Sequence, residues 1–432
     1  MNSWSRIRAL WGQRHDVAAG LVDASLASLA TFVVGVYAVR ALDPAVLGAY
    51  ALVYQAIFLV GIVPAQLVFL PVEIAVIARP LASRTRYLAR SIRVGLPIAL
   101  AAGLATVIWI PVAPAGVPDS VVWPLTASGI AAAALSPVQD HARRILHAGG
   151  RSWTAAIVST VQLGTVVAAL AVFSARGVDA AWLPFGALAL ANLASLLVAA
   201  AGAHLRTERD PVGLDLRFAQ LALGGRWLLG GGLLSPASGF AAAAVVSQLA
   251  GAAALGYAEA ARVVAQPVWV LAVGLSSVFG PRSMEAALHR RRWKALGLRR
   301  IYIFSVLVVG AINVAWLGAA WALNPLAWLM PAAYVVPGLV AASIAAQSLG
   351  ATMFPYRSEL LGGRRESSFT RVEGIGAVAR VAASVSALSI HAFAIPLGNL
   401  VVAVVRWIGF RNALERMYRT PAPTAATPVV AD

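Results

Sequence analysis

The chain has 432 residues, of which 60% are apolar and 12% charged, with 34 Lys+Arg against 17 Asp+Glu and no cysteine. That charge fraction is about half of what a soluble protein of this length carries, and the mean hydropathy of +0.79 excludes a water-soluble globular enzyme. The missing cysteines exclude a disulfide framework, a thiolate metal site and thiol redox chemistry.

Apolar stretches near 20 residues recur along the chain, about the length a helix needs to cross ~30 Å of hydrocarbon. A transmembrane barrel would instead show alternating segments of ~10 residues. The expected class is therefore an all-α integral membrane protein. The first basic segment, MNSWSRIRALWGQRHD, runs into an apolar stretch that reaches Val39 without a convincing cleavage site. It reads as an uncleaved first helix rather than a signal peptide. Twelve spans follow in order: 17–39, 46–70, 94–112, 121–138, 153–173, 181–202, 228–250, 255–280, 301–323, 326–355, 372–391 and 392–410.

The connections alternate in character. Odd-numbered ones are short and nearly free of positive charge (ALDPAV, APAGVPDS, SARGVDA, AGAAA, NP), with a bare junction near His391. Even-numbered ones are rich in arginine, as in ARPLASRTRYLARSIR and PRSMEAALHRRRWKALGLRR. Of the 34 Lys/Arg, 29 fall in the even-numbered connections and the two ends, and two (Arg40, Arg176) in the odd-numbered connections. Arg262, Arg380 and Arg406 lie inside spans. Positive residues stay on the cytoplasmic side of a membrane, so both ends are expected in the cytoplasm of a multi-pass inner-membrane protein. The net charge of +17 follows this bias and implies membrane lipids rather than nucleic acid as the basic surface's partner. A single lysine, Lys294, among so many arginines points to codon bias.

The polar stretch 203–227 divides the chain with six spans on either side. LGAYA at Leu47–Ala51 and LGYA at Leu255–Ala258 open the second and eighth spans, in matching places of the two halves. Six is even, so the halves are expected to be parallel repeats about an axis along the membrane normal. The expected division is a six-helix lobe over 1–203, a cytoplasmic linker over 204–227, a second lobe over 228–410 and a disordered tail over 411–432.

Catalytic equipment is missing. The expected outer loops are at most about eight residues, no Walker motif occurs, and the six histidines lack metal-ligand spacing. No metal, cofactor or enzymatic chemistry is expected. His141 and His147 read as solvated or headgroup-contacting residues of an inner loop.

An ionisable group at mid-bilayer costs at least ~2.5–3.5 kcal/mol, so those inside spans should face the bundle interior or water. Three- and four-residue steps put Glu259, Arg262 and Gln266 on one helical face. Two readings stand: a self-neutralising pair that locks packing, or a cationic cavity face able to receive phosphate. Arg380 is too deep to snorkel and is a second cavity candidate, with Glu373 nearer the inner end. Arg406 reads as snorkelling. Asp23, near Ser25 and Ser28, is either an H+ or Na+ coupling site or a packing hydrogen bond. Gln55, Gln66, Gln162, Asn192, Gln248, Gln347 and Asn399 read singly as interhelical glue and together as a wet interior. Pro64, Pro71, Pro267, Pro331, Pro337 and Pro355 are expected to kink long helices.

Two stretches carry a resemblance. VRALDPAVLGAYALVYQ at 39–55 joins an apolar helix, an outer turn with Leu-x-Pro and a Gly-x-Tyr-Ala-like start of the next span. In the second half a polar linker runs into the Gly-rich seventh span GGRWLLGGGLLSPASGFAAAAVV, followed by LGYAEAARVVAQPVWVLAVGLSSVFGPRSMEA, which ends near a proline before a basic loop. Together with the twelve-span plan they resemble the polysaccharide-biosynthesis flippases of the multidrug/oligosaccharidyl-lipid/polysaccharide exporter superfamily. The resemblance implies two six-helix lobes around a central cavity that moves a polyprenyl-pyrophosphate-linked oligosaccharide between leaflets by alternating access. It also implies coupling to an H+ or Na+ gradient, cationic cavity residues on the pyrophosphate, a place that Arg262 in the eighth span matches by position, and glycosyltransferases and a polymerase of the same pathway as partners. From the residues themselves, Arg380 by its depth, with Glu259, Gln266 and Gln55, completes the expected substrate contacts, and Asp23 is the expected coupling site. The sequence departs from the peptidoglycan-precursor flippases, whose two extra spans it lacks. A cation-coupled multidrug antiporter of the same superfamily and a non-transporting component of a glycan-synthesis complex are the alternatives.

Overall fold

The computed structural model describes residues 3–76, 81–202, 218–318 and 324–419, and every regular element among them is helical. The first half contains α1 (Ser3–Ala41), α2 (Pro44–Val76), α3 (Leu81–Leu104, prolonged by a 3-10 segment Ala105–Val112), α4 (Asp119–Ala148), α5 (Ser152–Ala175) and α6 (Leu183–Gly202). The second contains α7 (Phe218–Ala250), α8 (Ala252–Leu288), α9 (Arg292–Leu317), α10 (Leu339–Ala351), α11 (Phe354–Gly362), α12 (Glu366–Ser384) and α13 (Ala394–Arg419). Among the described residues, ten segments are long and apolar enough to cross a membrane. The tenth crossing is missed by that measure because it is broken between α10 and α11. The eleventh, α12, is missed because it carries Glu366, Arg371, Glu373 and Arg380.

The packing repeats. In the first half α1 lies on α5, α3 on α4, α4 on α6, α5 on α6 and α2 on α4. The second half pairs α7 with α12, α9 with α10, α10 with α13, α12 with α13 and α8 with α10. These are the same five pairings six crossings later. Between the halves, α2 packs on α8 while α1 on α8 mirrors α7 on α2. The protein is a twelve-crossing helical bundle in two pseudo-symmetric lobes, as the hydropathy and the LGAYA/LGYA repeat imply.

The two copies of that short repeat meet each other. A Cβ on Gly48 would collide with the Ala252 carbonyl, and one on Gly256 with the Pro44 carbonyl. Glycine here lets α2 and α8 cross backbone to backbone, the close approach that drives helix association where no hydrophobic effect exists. Each glycine touches the residue four before the other, so the pseudo-twofold axis passes between them.

Further bonds close this arginine-poor end. Arg40 Nη1 donates to Trp328 O at 2.7 Å, Tyr334 Oη to Leu42 O at 2.5 Å, and Gln248 Nε2 to Val112 O at 3.0 Å. All three join one half to the other. The arginine-rich ends gather at the opposite face, where Arg151 Nη1 donates to Gly202 O at 2.6 Å and Arg290 bonds the Met417 carbonyl.

Four expectations need correction. The connection between α9 and α10 is not the dipeptide NP. Residues 324–338 form only a turn (Leu326–Leu329) and a 3-10 turn (Ala332–Tyr334) before α10 starts after Gly338, whose φ is +79°; residues 319–323, the expected end of the ninth span, lie outside the described residues. Pro331 and Pro337 therefore precede a helix instead of kinking one, and Pro355 sits in the first turn of α11, where its missing N–H costs nothing. The linker expected over 204–227 is helical from Phe218, and its residues 204–217 lie outside the described residues. The tail expected from 411 is helical through Arg419 because Leu414 and Met417 are buried against Leu360 and Phe369; residues 420–432 lie outside the described residues. Pro64 does act as read. It is followed by a π-turn, Ala65–Phe69, with Leu70 N–H bonding five residues back to Ala65 O, the register shift that a missing proline donor invites.

Gly256→Ala should lower the thermal unfolding temperature of the detergent-purified protein, by an overpacking cost of about 1–3 kcal/mol. Gly186→Ala, where a Cβ meets nothing within 4 Å, should leave it unchanged or raise it, as helical Gly→Ala exchanges do.

Candidate functional site

Below the glycine crossing the halves diverge around a cavity of two adjoining chambers. The chamber nearer the arginine-poor end holds about 430 Å³ and the other about 340 Å³. They share Gln55, Phe58, Trp269 and Arg380. The lining comes from α1, α2, α7, α8 and α10–α13, so the space is displaced into the second lobe.

All five residues expected to contact substrate line the first chamber: Gln55, Glu259, Arg262, Gln266 and Arg380. Their states differ. Arg262 Nε and Nη2 each bond a Glu259 oxygen at 2.6 Å, and its guanidinium lies 4.9 Å from the Tyr54 ring centroid. Spacing of three residues on a helix makes that two-pronged pair possible. Gln347 Nε2 ties it further by donating to Arg262 O at 2.9 Å, and Gln266 Nε2 donates to Thr31 Oγ1 across the lobes at 3.2 Å. This geometry is the self-neutralising lock of the two readings.

Arg380 is free of any carboxylate among the described residues. Its Nη1 donates to Ser235 O at 3.1 Å and Ser238 Oγ at 3.4 Å on α7, next to Gln55. In the second chamber it is joined by Arg357, Arg406 and Glu373. Arg406 pairs with Glu373, while Arg357 lies 5.1 Å from the Phe369 ring centroid with no carboxylate bonded to it among the described residues. Arg380 and Arg406 each have a buried Nε–H without an acceptor. Glu373 cancels Arg406, so Arg357 and Arg380 leave the chamber with an uncompensated charge near +2. An isolated cation in such a place is costly unless an anion joins it.

Arg406 thus does not snorkel. Because α13 continues to Arg419, Arg406 sits in mid-helix, 13% exposed and bonded to its neighbour. Arg357 was hidden because the tenth span was expected to end at 355. The usable signal was the run of Arg357, Glu373, Arg380 and Arg406 in three successive segments of one half.

Asp23 lines neither chamber. It is 3% exposed inside the first lobe, accepting Ser159 Oγ at 2.5 Å and bonding His147 Nε2 at 2.8 Å, with Arg143 at 3.7 Å. Ser25 and Ser28 are not its partners in these bonds. His141, expected in a solvated loop, is 1% exposed on α4 because that helix runs to Ala148. Its ring stacks on Phe69 at 4.1 Å between centroids and bonds Glu73 Oε1 at 3.2 Å and Ser91 Oγ at 2.9 Å. The amides divide by place. Gln162 and Asn192 bond each other at 2.7 Å between helices, whereas Gln55, Gln66, Gln347 and Asn399 line the cavity.

No protein-family model matches the chain, and no curated protein matches it. Solved structures do. An inward-facing multidrug resistance MATE family transporter of the MOP superfamily aligns with TM-score 0.67 and 15% identity over 93% of this chain and 100% of its own. A MOP superfamily transporter from Pyrococcus furiosus, described by a reverse polarity of its binding pocket, aligns with TM-score 0.63 and 15% identity over 94% and 95%. A MATE in a bent conformation gives TM-score 0.59 and 17% identity over 94% and 97%. The fold is that of the MATE transporters of the MOP superfamily, with twelve helices in two lobes.

Glu259→Gln should destabilise the protein by about 1–3 kcal/mol, since it removes the carboxylate that holds the part-buried Arg262. The Glu259→Gln/Arg262→Gln double variant should recover most of that loss in a thermal-unfolding cycle.

Proposed function

We propose that this protein is a membrane transporter that flips an anionic, pyrophosphate-bearing lipid-linked oligosaccharide across the cytoplasmic membrane. The observation that carries this reading is the pair of guanidiniums, Arg357 and Arg380, which line the second chamber and bond no carboxylate among the described residues, its Glu373 being taken by Arg406. A pyrophosphate offers oxygens for charge-assisted bonds worth roughly 1.5–3 kcal/mol each. The unsatisfied Nε–H groups of Arg380 and Arg406 are donors suited to it. Arg262 then acts less as an anion ligand than as the charge lock between the chamber and the glycine crossing. Glu259, Gln266 and Gln55 offer the polar wall that a sugar headgroup needs while a prenyl tail stays in hydrocarbon.

The arginine-rich end is assigned to the cytoplasm of the inner membrane by the positive-inside rule, with both ends of the chain on that side. The lobes are joined at the arginine-poor end by the glycine crossing and three hydrogen bonds, which supports reading this arrangement as inward-facing, the state described for the first of the structural neighbours. Ion coupling is assigned to Asp23, whose bonds to His147 and Ser159 give a proton or sodium ion a carboxylate to compete for. Glycosyltransferases and a polymerase of the same pathway are its proposed protein partners.

One feature favours a second reading, a cation-coupled multidrug antiporter. Tyr54, Phe58 and Trp269 present aromatic faces to the cavity, a lining that suits flat organic cations. The two cavity carboxylates, Glu259 and Glu373, are each held by an arginine, which weakens it.

The orientation is open to test because the chain has no cysteine. In intact cells a membrane-impermeant maleimide should label Ser174→Cys and reach Ser367→Cys only after permeabilisation. In proteoliposomes, a fluorescent polyprenyl-pyrophosphate oligosaccharide should change leaflets. Arg380→Gln and Arg357→Gln should each slow this about 10- to 100-fold, for losses of roughly 1.4–2.7 kcal/mol. Wild-type rates in both variants, or efflux of a cationic dye in place of the lipid, would turn the assignment to the antiporter. Asp23→Asn should abolish dependence on an imposed pH or sodium gradient.

A further inference from the structure

A second pocket, of about 500 Å³, lies at the arginine-rich end between α9, α11 and α13 and shares no lining residue with the central cavity. We propose that it is a binding site for the headgroup of an anionic glycerophospholipid of the surrounding bilayer, distinct from any transported molecule. The proposal rests on the membrane-spanning fold and not on the flippase reading.

Four arginines line the pocket (Arg292, Arg299, Arg300 and Arg411) against two glutamates, Glu359 and Glu415. Both glutamates are already engaged. Arg299 Nη1 bonds the two Glu359 oxygens at 3.3 and 3.4 Å, Tyr418 Oη donates to Glu359 at 3.4 Å, and Arg411 Nε bonds Glu415 at 3.2 Å. Glu359 is wholly buried and so fixes Arg299, whose guanidinium lies 4.6 Å from the Tyr356 ring centroid. Arg292 and Arg300 are exposed and pair with no carboxylate among the described residues. Arg292 opens α9, whose first turn adds the positive end of a helix dipole, and Arg300 lies about two turns further on. A built wall thus presents two uncommitted guanidiniums beside two that are held in place.

The polarity is graded along the helices. Arg292, Leu296, Arg299 and Ile303 follow one face of α9 from the basic end inward, and Tyr418, Leu414, Arg411 and Trp407 follow α13 in the same direction. The eleven residue steps from Arg292 to Ile303 cover roughly 16 Å. That exceeds the ~5–7 Å headgroup layer of one leaflet, so the wall continues into hydrocarbon, where Trp407 is 43% exposed. A free phosphate has no use for that apolar half. A phospholipid fits both, with its phosphodiester at the arginines and its glycerol and first methylenes against Trp407 and Ile303. At the same end of the first lobe two of the arginines are neutralised, since Arg143 and Arg144 both bond Asp140 and Arg144 also reaches Glu73.

The test uses the full chain in a neutral detergent, with lipid retention read by native mass spectrometry and stabilisation by thermal unfolding. Phosphatidylglycerol should be retained at least tenfold more tightly than phosphatidylcholine. The Arg292→Gln/Arg300→Gln variant, whose side chains are exposed and unpaired, should fold normally and lose that preference. Trp407→Ala should weaken phosphatidylglycerol binding without restoring phosphatidylcholine. Glycerol 3-phosphate and inorganic phosphate should stabilise little. Equal retention of the two lipids, an undiminished preference in the double variant, or stabilisation by glycerol 3-phosphate equal to that by phosphatidylglycerol would each overturn the proposal. None of these readouts involves translocation, so they stand or fall separately from the transport assay.

Discussion

The bundle depends on the place where α2 and α8 touch through their backbones. Two glycines, one from each repeat, remove the side chains that would hold the helices apart. In a bilayer, where lipid tails are as apolar as leucine, such contact is what association has to work with. With the lobes in contact there, the cavity lies between them on the side of the crossing toward the arginine-rich end. Its position follows from a packing requirement before any ligand is considered.

Within that cavity the decisive quantity is uncompensated charge. Burial makes each guanidinium expensive, and the protein meets the cost in two ways. Arg262 and Arg406 each have a glutamate one helical step or one neighbouring helix away. Arg357 and Arg380 bond no carboxylate among the described residues; the first lies against an aromatic ring and the second bonds the α7 serines. Paired arginines hold the frame rigid, while unpaired ones create a demand for an anion. The same contrast recurs between Arg143 and Arg144, held by Asp140 in the first lobe, and the open pocket of the second.

Much of this was legible in the sequence because hydropathy and loop charge are summed over many residues and survive local error. The repeat was visible in LGAYA and LGYA, though only the coordinates explain it, as the meeting of the two glycines. The five cavity residues lie together because helical spacing put Glu259, Arg262 and Gln266 on one face and depth excluded snorkelling for Arg380. Arg357 and Arg406 were misplaced for one reason: apolar composition cannot mark where a helix ends. The stretch 324–338 is apolar enough to pass for membrane, yet it packs over the other lobe as irregular backbone, with Tyr334 buried. His141 failed similarly, since a histidine stacked on Phe69 and one in water look alike in a string of letters.

The closure at the arginine-poor end has an economy of its own. Arg40, Tyr334 and Gln248 are its side-chain donors, but the acceptors are the carbonyls of Trp328, Leu42 and Val112. Main-chain oxygen is supplied by every amino acid, so half of this clasp is indifferent to mutation. Substitutions at those three acceptor positions leave the hydrogen-bonding partner in place as long as the chain path holds. An architecture fastened in that manner can drift far in letters while keeping its shape, which accords with a fold recognisable at 15% identity in a chain that no family model matches.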